Sequence, residues 1–307
     1  MFCTKIELLS PDILTKYPEW LNDLDFLSAG LFKEFGWHYP VDIVWILSEL
    51  ERLGLKKGST ILDAGAGNGI LQYLLSYYGY HVISVDFSPR KRQLIPALIF
   101  PLEEDKQDVK FENAYVDHIV EVSRLRYKVR RLYFMIKYRK INPFSFLKLL
   151  YYKLTSQYHP GKISMYCANV LDMSDIPSQS IDAVVSLSAV EHMSPDDIPQ
   201  ALIEFERVVK PGGGIVVSTS ASKDTDWFHT PSKGWCFSKK SLSKLFGLEN
   251  DSAFVFEDYE RILSGYNESK ALKKRLSSVY FASSRNGMPL GNWAPQYLPV
   301  GIVKYVG

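Results

Sequence analysis

Between Val122 and Val170 the chain holds no aspartate or glutamate, and nowhere in its 307 residues does an apolar run approach a membrane span. A spanning helix needs about 18 consecutive apolar residues, so none is expected. Cysteine is as scarce. Cys3, Cys167 and Cys236 are scattered, odd in number and without CxxC spacing. That argues against a disulfide framework or a structural zinc cluster and suits a reducing compartment. The opening residues, Met1 to Glu7, lack the apolar stretch of a signal peptide. The expected location is the cytoplasm, peripheral at a membrane if a surface segment docks there.

What is present is a large apolar fraction. Hydrophobic residues make up 46% and aromatics 14%, enough for a sizeable core in one large domain with an extension. The net charge of +2 conceals an asymmetry. Eleven Arg and Lys lie between Arg124 and Lys162, which leaves the rest of the chain at −9. Such a split describes a surface rather than a fold.

Residues 1–55 read as an amphipathic helical cap whose last helix stops at Gly54. From about residue 56, strands alternate with helices. Apolar runs at Thr60–Asp63, His81–Asp86, Ile163–Ala168, Ile181–Ser186 and Ile215–Thr219 predict five strands. Ile70, Leu71, Leu74, Leu75 and Tyr78 predict a helix face, and so do Ile198, Ala201, Leu202, Phe205, Val208 and Val209. This pattern predicts an α/β fold with a mostly parallel sheet covered on both faces. Val279–Ser283 and Val300–Tyr305, with no helix-length segment between them, are expected to pair antiparallel at the sheet edge. Nearly eighty residues separate Asp86 from the third strand, where a short crossover would serve. The basic stretch falls in that gap, so residues 95–160 read as an insertion in a domain spanning 56–307.

Ile61-Leu62-Asp63-Ala64-Gly65-Ala66-Gly67-Asn68-Gly69 joins the first of these strands to its helix. Glycines there allow a tight turn and close approach of a ligand to backbone. The spacing is GxGxG, not the GxGxxG of a dinucleotide site, and Asp63 stands where a diphosphate would meet an uncompensated carboxylate. A cationic ligand suits that carboxylate, and S-adenosylmethionine carries both a sulfonium and an ammonium. Asp86, ending the second strand, can accept from a ribose diol or start the turn at Ser88-Pro89.

On these residues the chain resembles a class I S-adenosylmethionine-dependent methyltransferase, of the branch similar to ubiquinone and menaquinone biosynthesis methyltransferases. Four blocks between Thr60 and Ser220 carry the resemblance: residues 61–69; Val82 to Asp86; Asp172-Met173 with Ile176-Pro177 and Ile181 to Val185; and Val190-Glu191-His192-Met193 continued through residues 201–217. The resemblance implies a Rossmann-like methyltransferase fold with a seven-stranded, mostly parallel sheet. It also implies site roles. Asp63, Gly65 and Gly67 would hold the methionine end and Asp86 the ribose. Asp172 and the Met173 amide would meet adenine, and Ser188 would lie near the methyl.

A sulfonium methyl is already activated, so a base is needed only where the acceptor must lose a proton. His192 and His229 are the candidates. Trp227, Phe228, Trp235 and Phe237 crowd the segment after the fifth strand and are expected to wall an acceptor pocket or form a lid. The Asn/Asp-Pro-Pro-aromatic motif of amino-methylating nucleobase enzymes is missing, because that position reads Ser186-Leu187-Ser188-Ala189. A small-molecule or lipid-like acceptor therefore ranks above RNA, and a non-catalytic scaffold below both. In the insertion, Leu125, Val129, Leu132, Tyr133 and Ile136 share one helical face. Residues 124–154 are expected either to pack on the domain with a solvated basic face, or to dock on an anionic membrane, with RNA a weaker third.

Overall fold

A computed structural model describes residues 5–88, 90, 93–104, 125–138, 140–247, 254–256, 258–284 and 286–307. The chain opens with a strand, β1 (Lys5–Leu8), and then three helices, α1 (Ile13–Lys16), α2 (Pro18–Leu31) and α3 (Tyr39–Arg52). Both longer helices begin with proline in the first turn, where its missing N–H costs nothing. The alternating part follows as β2 (Thr60–Ala64), α4 (Leu71–Tyr77), β3 (His81–Asp86), α5 (Leu94–Ile99) and β4 (Leu102–Glu104). Two helices, α6 (Leu125–Lys137) and α7 (Pro143–Leu154), precede β5 (Ile163–Cys167) and β6 (Ile181–Leu187). Asn142, in the Asn-Pro-Phe triplet, caps α7 by accepting from the Phe144 amide at 3.1 Å.

Helix α8 (Ile198–Val208) runs directly into β7 (Val209–Ala221). Its pairing with β6 is interrupted between Ile181 and Ala183, where Pro211-Gly212-Gly213 loops out before Gly214 rejoins the ladder. A ribbon of β8 (Trp227–His229) and β9 (Gly234–Cys236) comes next. The chain continues through α9 (Lys239–Leu245), β10 (Phe254–Val255), α10 (Tyr259–Glu268), α11 (Lys270–Arg275) and α12 (Ser278–Ala282), and then β11 (Leu298–Tyr305).

Nine strands, not seven, form the main sheet among the described residues, in the order β10-β1-β11-β7-β6-β2-β3-β5-β4. Only β11 runs antiparallel to its neighbours, β7 and β1. It lies inside the sheet and not at the edge. The partner predicted for it, Val279–Ser283, is mostly helix α12 instead. Its five residues suited either state, and periodicity cannot decide for so short a run. The place beside β11 goes to β1, which the purely helical reading of residues 1–55 missed. The Glu7 carboxylate accepts from Trp45 Nε1 at 2.7 Å, and Lys5 reaches Glu49 at 2.8 Å. The N-terminal segment is thus built into the sheet and its helical cover.

One apolar core runs throughout, with Ile61, Leu62, Val184, Val185, Val216, Val217, Val300 and Ile302 buried along the central strands. These near-continuous apolar strands belong to a sheet covered on both faces. The cover brings the strand tips at Ala64, Asp86, Cys167 and Leu187 to one edge, where ligands of open α/β sheets bind.

Candidate cofactor and acceptor site

The turn after β2 is held by its neighbour. Gly65 and Ala66 amides both donate to Val85 O, at 2.9 and 3.0 Å. Gly65 sits at φ +73, and a Cβ there would collide with Ala189 Cβ. Glycine is therefore required twice over at this position. Gly67, at φ +49, donates its amide to Asp86 Oδ2 at 2.8 Å.

Asp86 also starts the turn that follows it. Oδ1 accepts from the Ser88 amide at 2.8 Å and from the Ser88 hydroxyl. Both roles weighed for this residue thus draw on one carboxylate. With Oδ1 doubly engaged, one lone-pair site remains on Oδ2 for a sugar hydroxyl. A second would require the Ser88 hydroxyl to rotate away.

Asp63 is buried and accepts no hydrogen bond among the described residues. Burial pushes its carboxyl up to about 7, Asp86 adds to the rise, and Arg90 opposes it. Arg90 was not singled out from sequence. Its guanidinium donates to Gly67 O at 3.1 Å, Ser84 Oγ and Ser84 O at 2.6 Å, and Tyr166 O at 3.0 Å. It braces the glycine turn from below and offsets one of two carboxylates. Lys33 was also missed. Carried on the loop between α2 and α3, it donates to Asn68 O at 2.6 Å and lies over the Tyr73 ring. Burial, with Arg131 and Arg90 nearby, lowers its amine to about 7. No motif flags either residue, because both act by reaching backbone carbonyls that only the fold brings within range.

Ser188 stands at φ +47 after β6, buried, with its amide on Ser218 O at 3.0 Å and its hydroxyl without a partner among the described residues. A strained non-glycine backbone and a spare hydroxyl beside the glycine turn are features that a bound ligand would satisfy. Together with the unpartnered Asp63 carboxylate, they fit a nucleoside carrying positive charge.

The adenine end needs correction. The Met173 amide donates to Glu204 Oε2 at 2.9 Å, and Arg207 ties Glu204 to the Met173 carbonyl. That N–H is therefore not free for a ring nitrogen. Asp172 is exposed and receives the Ser174 amide. The tip of β5, Cys167, lies five residues before Asp172. Ala168 donates to Asp86 O at 3.1 Å, Asn169 Oδ1 accepts from the Leu171 amide at 3.0 Å, and the Val170 amide has no acceptor among the described residues.

The two histidines separate clearly. His192 is exposed, and its Nδ1 donates to the Lys233 carbonyl at 2.9 Å, so in the neutral ring the lone pair lies on Nε2. Glu191 anchors that turn. It is buried and accepts from Thr219 at 3.1 Å, and burial raises its carboxyl. His229 belongs to the β8–β9 ribbon. Buried, and with its pKa lowered by desolvation, it turns its Cε1–Nε2 edge toward Gly287, and Nε2 meets no partner among the described residues. Of the four aromatics, Phe237 is core, while Phe228 faces outward against Trp235. Trp227 packs toward Tyr297, and Tyr297 and Tyr39 lie close enough to Glu191 to feel its charge.

A methyltransferase-domain family profile matches residues 44–253, more than half of the chain, so the chain belongs to that family. No curated protein matches. Among solved structures, a putative methyltransferase from an antibiotic biosynthesis pathway of Anabaena variabilis is 18% identical, with a TM-score of 0.33. The alignment covers 62% of this chain and 51% of that one, so the chain spans about half its length. An S-adenosylmethionine-dependent methyltransferase from Methanosarcina mazei is 14% identical over 85% of this chain and 98% of that one, TM-score 0.41. The [4+2]-cyclase SpnF is 14% identical over all of both chains, TM-score 0.47.

Proposed function

We propose that this chain transfers the methyl group of S-adenosylmethionine to a small-molecule or lipid-like acceptor bound over the strand tips. One observation carries the reading: a buried carboxylate, Asp63, stands without a donor beside a glycine turn that already holds Asp86. When bound, S-adenosylmethionine supplies a methyl activated by its sulfonium. The chain's own residues bind and orient. Asp63 receives the positively charged end, the Gly65–Gly67 turn lets the ligand approach backbone, and Asp86 accepts from the ribose. Asn169 and the Val170 amide meet the base.

Where the acceptor must lose a proton, His192 Nε2 accepts it. Lys233 O holds the tautomer, and Glu191 fixes the turn on which His192 rides. Tyr39, Tyr297 and Trp227 supply an aromatic wall next to Glu191, which favours an acceptor with a ring or long apolar body. The resemblance to quinone-biosynthesis enzymes supports the same class.

The test is transfer of labelled methyl in a cell extract, with mass spectrometry of the product. Label in an RNase-resistant small molecule, lost with Asp63→Asn, supports the reading. Absence of S-adenosylmethionine binding by calorimetry, or label that RNase removes, refutes it.

A further inference from the structure

The basic helix α6 is turned the opposite way from the expected packing. Val129, Leu132, Tyr133 and Ile136 are 60, 51, 57 and 64% exposed. At about 100° per residue these four fall within an arc of about 100°. The domain-facing side instead carries Arg131, whose Nε reaches Glu34 at 3.2 Å, with Met135 and Phe134, whose ring meets Phe281. An apolar stripe faces outward while an arginine faces in.

Cations border the outward stripe on both sides. Lys128 lies along one flank, and Arg126, Arg130 and Lys137 along the other, all exposed. Lys137 lies over the Tyr133 ring of the stripe, its stem along the apolar face, while Arg130 lies over Phe134. A similar face appears on α7, where Phe144, Leu147, Tyr151 and Leu154 are 80, 56, 55 and 75% exposed. Helix α5 packs beside α7, with Lys153 Nζ on Leu98 O at 2.7 Å, and adds exposed Leu94 and Leu98.

We propose that α6, supported by α7, is an in-plane docking helix for an anionic membrane surface. Two observations choose the occupant. The stripe requires an apolar surface, and its flanking cations, in a segment without any carboxylate from Val122 to Val170, require dense negative charge beside it. The boundary between lipid headgroups and acyl chains offers both together, whereas RNA offers no surface for the stripe. The docking is independent of which acceptor the site takes.

The full chain is sedimented with vesicles of equal parts phosphatidylglycerol and phosphatidylcholine, and with phosphatidylcholine alone. Binding is expected to the anionic vesicles, weakened by added salt. Charge removal uses Arg130→Gln with Lys137→Gln. Each cation at such a surface is worth about fivefold, so the pair lowers vesicle affinity about 25-fold. Leu132→Ser with Ile136→Ser retains every charge and is expected to lower affinity by about tenfold or more. All four side chains are exposed, and unchanged thermal melts verify the fold of both variants. Equal sedimentation of wild type and variants overturns the proposal, as does no sedimentation at all. Loss with the charge variant alone points to a generic polyanion, and self-association of the wild type abolished by the serine variant points to a second copy. Either result overturns the membrane assignment.

Discussion

At the residue scale, the Asp63 carboxyl links protonation to ligand binding. Its folded pKa of about 7 lies above the unfolded 3.8, so folding favours the protonated form. The ligand-free protein therefore loses stability as pH climbs from the unfolded value to about 7, and Asp63→Asn removes that dependence. A cationic ligand needs the ionised form. Calorimetric affinity for S-adenosylmethionine should thus rise about tenfold per pH unit below 7 and level off above it. A flat profile in the wild type would contradict the role given to this carboxylate. Gly65→Ala faces both a positive φ and Ala189 Cβ. It is expected to cost about 2–4 kcal/mol in denaturant unfolding and to abolish cofactor binding. Both residues were legible in the sequence, because a GxG turn preceded by an acid has a distinct chemistry. Arg90 and Lys33 were not, since hydrogen bonds to carbonyls of distant segments leave no local pattern.

At the scale of elements, the five parallel strands and their crossovers followed from apolar runs punctuated by glycine. Failures occurred where a run was short. Lys5–Leu8 alternates polar and apolar but is only four residues long, and Val279–Ser283 joined a helix through the Ser277 cap. The adenine register is another case. Asp172-Met173 matched a motif by its distance from Ile176-Pro177, but the Met173 amide is taken by the Glu204–Arg207 brace, and Asn169 and Val170 are proposed for the base instead. Asn169→Ala is expected to weaken S-adenosylmethionine binding by about tenfold, a lost hydrogen bond, and Asp172→Ala by less than about twofold. Equal losses in the two variants would restore the motif register. Helix α6 reads as amphipathic in sequence, yet periodicity reveals a face and not its direction. Charge removal at Arg131 or Lys140 would therefore probe the wrong side, since Arg131 pairs with Glu34 and Lys140 reaches Lys274 O.

For the whole molecule, the N-terminal helices and the sheet form one packed body. Gly301 in β11 lies against the Trp45 ring of α3, with no space for a Cβ. Gly301→Ala should lower the melting temperature by several degrees through a loss of about 1–3 kcal/mol. Trp45 at that contact also donates to Glu7, so the damage should spread to β1. Hydrogen exchange would then show faster exchange at Ile6 as well as at Ile302. Protection unchanged at Ile6 would mean that β1 is held without α3.

The pairing of Lys5 with Val303 has a kinetic consequence. Neither β1 nor the adjoining rim of the sheet can settle until β11 slides between β1 and β7, so the first strand of the chain waits on the final one. Contacts of such sequence separation slow the search for the native state. Until they form, β7 presents a bare row of amides and carbonyls beside a largely finished core. Refolding should accordingly show a late phase in which most helix has returned while this rim is still open, and dilute protein with a chaperone present should recover best.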